Sequence, residues 1–175
     1  IPFNIKVNNE KAGRIDHKLF NTSYGYQSAN ANATGNANTA TGYQALYANS
    51  EGNYNTASGY LALYYNTRGN YNTATGNASL YFNKEGSNNT ANGSSALYFN
   101  TTGNYNTANG WQALYANIDG SNNTASGKWA LRSNTSGQNN TAIGESTLYN
   151  NNRGSFNTAS GSNALITNTT GSYNT

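Results

Sequence analysis

A rigid repeat of seventeen residues limits what this chain can fold into more than any other feature. Residues 42–58 read GYQALYANSEGNYNTAS, and residues 59–75 read GYLALYYNTRGNYNTAT. The same spacing holds from residue 25 to the end of the sequence, without an insertion or a deletion. Each copy opens on a glycine, at positions 25, 42, 59, 76, 93, 110, 127, 144 and 161. Such regularity is typical of solenoids, in which each repeat is one unit that stacks on its neighbours.

Several positions of the repeat hold one residue type in nearly every copy, and we assign these columns structural roles. Two glycines in each copy predict two corners where φ is positive or where backbones crowd. The segments between the corners, NTAxG and xALYxN, are too short for helices and favour strands of four or five residues. The sequence therefore predicts an all-β fold, a parallel β-solenoid with 17-residue coils about 4.8 Å apart. In the copy 42–58 the structural columns are represented by Gly42, Leu46, Tyr47, Asn49, Gly52, Asn55, Thr56 and Ala57.

The repeat divides the chain into two parts. Residues 1–24 form an N-terminal lead-in or cap, and residues 25–175 form an array of nine coils, the last of them incomplete. The incomplete last coil, and a start at Ile1 without an initiator methionine or a signal-peptide pattern, predict a piece of a longer protein.

The composition favours a thin core that is held partly by polar groups. Leu, Ile, Val and Phe together account for only 22 residues, whereas Asn alone accounts for 36. Identical Asn side chains one coil apart can form hydrogen-bonded ladders along the axis. Strand side chains alternate between two faces, so Asn55 and Ala57 are expected inside, with Thr56 and Ser58 outside.

The ALY segment suggests that the chain assembles with copies of itself. If it is a strand, Leu46 faces one way while Ala45 and Tyr47 face the other, and all three are apolar. A strand that is apolar on both faces is expected to be buried on both faces. One narrow coil covers one face only, so this pattern predicts a symmetric homo-oligomer.

Few residues carry the chemistry of catalysis or metal binding. The chain has no Cys and a single His, His17, and its six acidic residues are scattered over different coils. We therefore predict no enzymatic activity, no metal site and no cofactor. Nine basic residues form no stripe, which argues against nucleic acid. No apolar run is long enough to span a membrane, so direct membrane insertion is not expected.

Coil 127–143 departs most from the consensus and is the candidate binding site. Lys128 and Trp129 replace the usual Tyr-Gln pair, Arg132 replaces the Tyr of the ALY segment, and Trp111 lies one coil earlier. Trp rings beside cations can stack on sugar faces or hold an anionic glycan. The competing interpretation is drift of the repeat, in which Trp129 fills a subunit contact and Arg132 pairs with Glu145.

The spacing GxxALxxNxxGxxNTAx resembles the 17-residue repeats of fibre proteins from bacteria and bacteriophages. It is also similar to the head repeats of trimeric autotransporter adhesins, which use shorter coils. The resemblance covers residues 25–175 and implies a left-handed, homotrimeric β-roll fibre exported to a cell or virion surface. It supplies no catalytic residues.

The sequence thus favours a non-enzymatic structural or adhesive fibre that attaches to a host surface through a glycan or protein receptor. A second hypothesis, of a different class, is an ice-binding solenoid. TxT strings such as Thr39-Ala40-Thr41 and Thr73-Ala74-Thr75 would place an outward array of Thr at regular axial spacing, although Thr also suits any exposed strand position.

Overall fold

All the strands of the protein lie in one sheet and follow one another in chain order. The computed structural model describes residues 2–175, so Ile1, the first residue of the predicted lead-in, lies outside the described residues. Within residues 2–175 there is no helix, and each of the eight complete repeats contributes one three-residue strand. The strands are β1 (Phe3–Val7), β2 (Glu10–Asp16), β3 (Asn21–Tyr24), β4 (Thr39–Thr41), β5 (Thr56–Ser58), β6 (Thr73–Thr75), β7 (Thr90–Asn92), β8 (Thr107–Asn109), β9 (Thr124–Ser126), β10 (Thr141–Ile143) and β11 (Thr158–Ser160).

The predicted parallel solenoid is confirmed. From β3 to β11 every neighbouring pair of strands is parallel. The register advances by one repeat each time, so that Thr39 lies opposite Thr56 and Ala40 opposite Ala57. Nine parallel strands therefore enclose about eight turns. Within each strand of the array the central Ala is buried, while the residues on either side of it are more exposed, as expected for an alternating strand.

The lead-in joins the same sheet through antiparallel strands. β1 pairs with β2, β2 pairs with β3, and β3 then begins the parallel stack. Buried Asp16 ends β2, where its carboxylate accepts hydrogen bonds from the amides of Lys18 at 3.0 Å and Leu19 at 3.3 Å and pairs with Arg14. Burial acts to raise the pKa of Asp16, but these hydrogen bonds and the Arg14 charge outweigh it and lower that pKa overall.

The Asn49 column forms the predicted amide ladder through the interior. Nδ2 of Asn66 donates to Oδ1 of Asn49 at 2.8 Å and to the carbonyl of Gly69 at 3.0 Å. Both asparagines are fully buried. Each amide therefore ties its own coil's corner and the preceding coil at once, and the buried polar atoms are satisfied.

The Asn55 column is also buried but bonds differently. Oδ1 of Asn55 accepts from the backbone amide of Asn72, one coil later, at 2.9 Å. Its Nδ2 donates to the carbonyl of Gly69 at 2.8 Å. The Asn55 column thus joins neighbouring coils mainly through hydrogen bonds from side chain to backbone. The Asn49 column joins them through hydrogen bonds between side chains.

The two glycine columns mark corners for different reasons. Gly42 has φ 128°, and a Cβ there would lie 2.5 Å from the carbonyl oxygen of Gly59. Gly86, in the second column, has no positive φ, but a Cβ there would lie 2.5 Å from the oxygen of Gly103 and 2.6 Å from Nδ2 of Asn100. The first corner needs glycine for its backbone conformation and for space, and the second needs it for space alone.

The ALY segment is not a strand, and that expectation is wrong. Gln44 and Leu46 adopt left-handed backbone conformations, with φ 50° and 54°, so that the segment is a run of turns. Strand alternation does not apply to such a backbone, and both Ala45 and Leu46 reach the interior and are fully buried. Tyr47 is half-buried. A single coil therefore buries the Ala and Leu columns without the help of a second chain.

We predict that removing one rung of the ladder destabilises the whole stack. Nδ2 of Asn83 donates to Oδ1 of Asn66 at 2.7 Å and to Gly86 O at 2.9 Å. Asn83→Ala leaves these buried acceptors without that donor, so the free energy of unfolding should fall by about 3 kcal/mol in urea denaturation followed by circular dichroism. The control is Asn92→Ala, at the exposed end of β7, which should change it by no more than about 0.5 kcal/mol. Equal losses would contradict the ladder's role.

We also predict a pH-dependent contribution from the contact between the lead-in and the first coil. Nζ of Lys11 donates to the carbonyl of Ala29 at 2.9 Å. Burial, helped by the charge of Arg14, lowers the pKa of Lys11 from 10.5 to about 8. The unfolded chain therefore holds this proton more tightly than the folded chain, and stability rises with pH above about 8.

The rise should amount to about 1 kcal/mol between about pH 7.5 and about pH 9.5, after discounting for the solvent exposure of this half-buried side chain. The window stops below pH 10 because burial raises the pKa of Tyr64, Tyr81 and Tyr98, so that stability falls again once tyrosine ionises in the unfolded chain. Lys11→Met should flatten the profile, whereas Lys6→Met on β1 should retain it. An unchanged slope in Lys11→Met would refute the assignment.

Candidate functional site

The surface of the solenoid carries aromatic columns, because each repeat places the same residue above its predecessor. The Tyr47 column stacks face to face over five coils, with ring centroids 4.9, 5.3, 5.1 and 5.3 Å apart. Beside it, Tyr65, Phe82 and Phe99 form a shorter stack. These two columns meet edge to face, as in Tyr81 against Phe82 at 4.7 Å. The candidate site lies where this order is broken.

The structure brings the predicted site residues together. The rings of Trp111 and Trp129 lie 5.2 Å apart and are tilted by 40°. Nζ of Lys128 lies 3.9 Å from the ring centroid of Trp129 and 5.8 Å from that of Trp111, within the range of cation–π attraction. Trp111 is 46% exposed, so that this cluster faces solvent.

Arg132 belongs to the same cluster because it occupies a position of the Tyr47 column. The centre of its guanidinium lies 5.1 Å from the ring centroid of Tyr115 and 5.6 Å from that of Tyr149. Its Nη1 donates to the hydroxyl of Tyr149 at 3.3 Å. The arginine thus replaces one ring in the stack with a planar cation.

Gln112 orients both halves of the cluster and was missed by sequence reasoning. Its Oε1 accepts from Nε1 of Trp129 at 3.2 Å and from Nε of Arg132 at 3.0 Å. The signal was present in the sequence, because Gln112 precedes Trp129 by one repeat in the same column. We call Trp111, Gln112, Lys128, Trp129 and Arg132 the tryptophan patch.

The pairing of Arg132 with Glu145, which belonged to the interpretation of repeat drift, is wrong. Glu145 instead accepts from Nζ of Lys128 at 2.9 Å, because it follows Lys128 by one repeat in the same column. The carboxylate offsets one of the two positive charges. The tryptophan patch and its partner therefore keep an excess of one positive charge, at Arg132.

These contacts determine which ligand groups the tryptophan patch can bind. Indole faces attract the electropositive C–H faces of ligands, while the amide and guanidinium groups supply hydrogen bonds at the edges of the rings. Within residues 2–175 no group of three His, Cys, Asp or Glu residues is placed to hold a metal ion. The same range contains no helix that is long and apolar enough to cross a membrane.

An apolar groove of about 410 Å³ lies beside the Tyr47 column and was not predicted. It forms where the aromatic stack stops, because Ala116 follows Phe99 and leaves the next rung empty. The step from Phe to Ala in this column was visible in the sequence. The lining residues are Phe82, Lys84, Phe99, Thr101, Ala116, Ile118 and Thr135.

The outward residues of the sheet form a different surface. Thr39, Thr56 and Thr73 are exposed and lie in register across β4, β5 and β6. The column continues through the other strands of the array as far as Thr158. Thr56 and its column thus face outward, as predicted.

No protein family, no curated protein and no solved structure gives a significant match to this chain. The resemblance to fibre repeats therefore rests on the sequence pattern alone.

Proposed function

We propose that this chain is a non-enzymatic structural and adhesive segment of a homotrimeric surface or tail fibre, which recognises a glycan or protein on a host cell. The observation that carries the proposal is the tryptophan patch. It gathers two indole rings, a guanidinium and an ammonium group on the stretch of the rod where the repeat departs most from its consensus.

The regular coils support the structural part of the proposal. Eight parallel turns at the spacing of a β-sheet make a stiff rod of about 40 Å. Each turn repeats the same buried amide contacts, so length is added without a new core. A rod of this kind suits the presentation of a patch at a distance from a cell or virion surface, which is the location we propose.

The aromatic columns support assembly with other copies. Tyr65 and Phe99 are 38% and 40% exposed, and the apolar groove continues their surface. Continuous apolar surface of this kind is characteristic of interaction sites. Because the repeat places it along the rod, three copies packed side by side would cover it over several coils.

We predict that glycan recognition depends on Trp129. Trp129→Ala removes the ring that contacts Trp111 and Lys128, so binding on a glycan array should fall at least tenfold, which corresponds to about 1.4 kcal/mol. Tyr43→Ala is the matched control, because it removes an exposed stacked ring of the same face, several coils away. Circular dichroism checks that both variants fold.

Two results would refute parts of this proposal. Equal glycan binding by Trp129→Ala and the unaltered chain would remove the tryptophan patch as the recognition site. Sedimentation equilibrium should give the mass of a trimer, and a stable monomer at micromolar concentration would remove the trimeric assembly.

A second candidate function is ice binding, and the in-register Thr column favours it. The Thr side chains of β4 to β6 face solvent from adjacent parallel strands, and so repeat at the strand spacing of about 4.8 Å. This candidate predicts thermal hysteresis and inhibition of ice recrystallisation, both of them reduced by Thr73→Lys on β6. Freezing behaviour equal to that of an inert protein would exclude it.

A further inference from the structure

A further outward column of aromatic rings and asparagines runs from Tyr54 to Tyr173, and its members lie two residues before the Thr of each copy's Asn-Thr pair. The copy before this column carries Ala37 at the equivalent position. Every member has a positive φ of 55–61°. Asn tolerates this left-handed backbone better than most residues, which accounts for its use wherever the ring is absent. The column consists of Tyr54, Tyr71, Asn88, Tyr105, Asn122, Asn139, Phe156 and Tyr173.

Where two rings follow each other in this column, they stack one rung per coil. Tyr54 and Tyr71 have ring centroids 4.9 Å apart and planes within 2° of parallel. Phe156 and Tyr173 repeat this geometry at 5.0 Å and 3°. The column is therefore a ladder whose rung spacing equals the distance between coils.

At Asn88 this ladder lacks a single rung. Tyr71 and Tyr105 flank it and lie two coils apart, which separates their rings by about 10 Å. Both rings are well exposed, at 57% and 62%. Asn88 is exposed too, and its side-chain amide makes no hydrogen bond to any other residue within 2–175. The result is a slot with two tyrosine walls and an amide at its base.

We propose that the slot formed by Tyr71, Asn88 and Tyr105 binds one uncharged hexopyranose ring of a glycan. A six-membered ring placed in the slot lies about 5 Å from each tyrosine, which is the spacing that the ladder uses for its own rungs. It therefore stacks on both faces at once.

The chemistry of the slot selects a sugar ring over a purely apolar one. The two faces of a pyranose present C–H groups to the negative faces of the tyrosines, while its hydroxyls remain at the edge. The Asn88 amide supplies both a donor and an acceptor, which matches a pair of neighbouring hydroxyls. Arg68 and Glu85, three residues before Tyr71 and Asn88, pair with each other at 3.3 Å, and Arg68 also pairs with Glu51 at 3.4 Å, which favours a neutral ligand.

The width of the gap singles out this position in the column. Asn122 and Asn139 remove two consecutive rungs, so that Tyr105 and Phe156 lie about 15 Å apart. A single sugar ring in that wider gap would contact only one of the two aromatic rings that bound it. The Asn88 slot is distinct from the tryptophan patch, and its occupancy does not require that patch.

The experiment is a titration of the whole chain with methyl hexopyranosides of the gluco, galacto and manno series, followed through the NMR signals of the tyrosine rings. At least one sugar should shift the ring signals of Tyr71 and Tyr105. Asn88→Tyr fills the missing rung and should weaken this binding at least tenfold. The Asn88→Tyr variant should fold, because four other coils carry Tyr at the same position. Tyr71→Ala removes one wall and should weaken binding about fivefold.

Two control variants distinguish binding in the Asn88 slot from binding at the tryptophan patch. Tyr54→Ala, in the same column but outside the slot, and Trp129→Ala should both retain the shifts of Tyr105. Loss of array binding in Trp129→Ala with these shifts retained would support two separate sites. Equal sugar affinity in Asn88→Tyr, or the absence of shifts with all three sugars, would overturn the slot. Shifts produced by p-cresol but by none of the sugars would also overturn it, because they would assign an aromatic occupant.

Discussion

The contact on which the rest of the structure depends is the buried amide of asparagine, repeated once per coil. Asn49, Asn66 and their successors stand where a larger protein would place apolar side chains, and each amide of this column finds partners in its own coil and in a neighbour. An unsatisfied amide at such a site costs far more than an apolar mismatch, so these side chains fix the register of one coil on the next. The thin Leu and Ala core fills space, whereas the amides determine alignment.

The alignment of each coil on the next also determines how the surface side chains are arranged. When coils stack without offset, outward side chains of one type must stack as well, and the aromatic columns follow from this. The residues of such a column repeat at the distance between coils. A change of residue in a column then creates a site with predictable dimensions, as in the groove after Phe99 and the slot at Asn88. The tryptophan patch, the groove and the slot are all interruptions of a regular pattern, whereas the Thr column is the pattern itself.

Most polar contacts of the tryptophan patch run along the axis of the rod. Its contacts join residues about one repeat apart, such as Gln112 with Trp129 and Lys128 with Glu145. Residues distant in sequence by seventeen positions are therefore as close as neighbours on a helix face. Arg132 departs from this rule only slightly, since it reaches Gln112 diagonally across one coil at 3.0 Å. Among the side-chain contacts of the patch, only that of Lys128 with the ring of Trp129, at 3.9 Å, lies within a single coil.

The sequence by itself determined the period, the parallel solenoid, the inward Asn and Ala columns and the grouping of Trp111, Lys128, Trp129 and Arg132. A constant spacing forces equivalent residues to lie one above another, and this requires no knowledge of the backbone between them. Only the tertiary structure decided the conformation of the ALY segment, the partners of the Asn55 column and the partner of Glu145. Leu46 adopts a positive φ that its residue type does not signal, because the cost of this conformation is offset by contacts with adjacent coils. Those contacts exist only once the coils are stacked, so the one-chain burial of Ala45 and Leu46 could not be deduced from the alternation of a single strand.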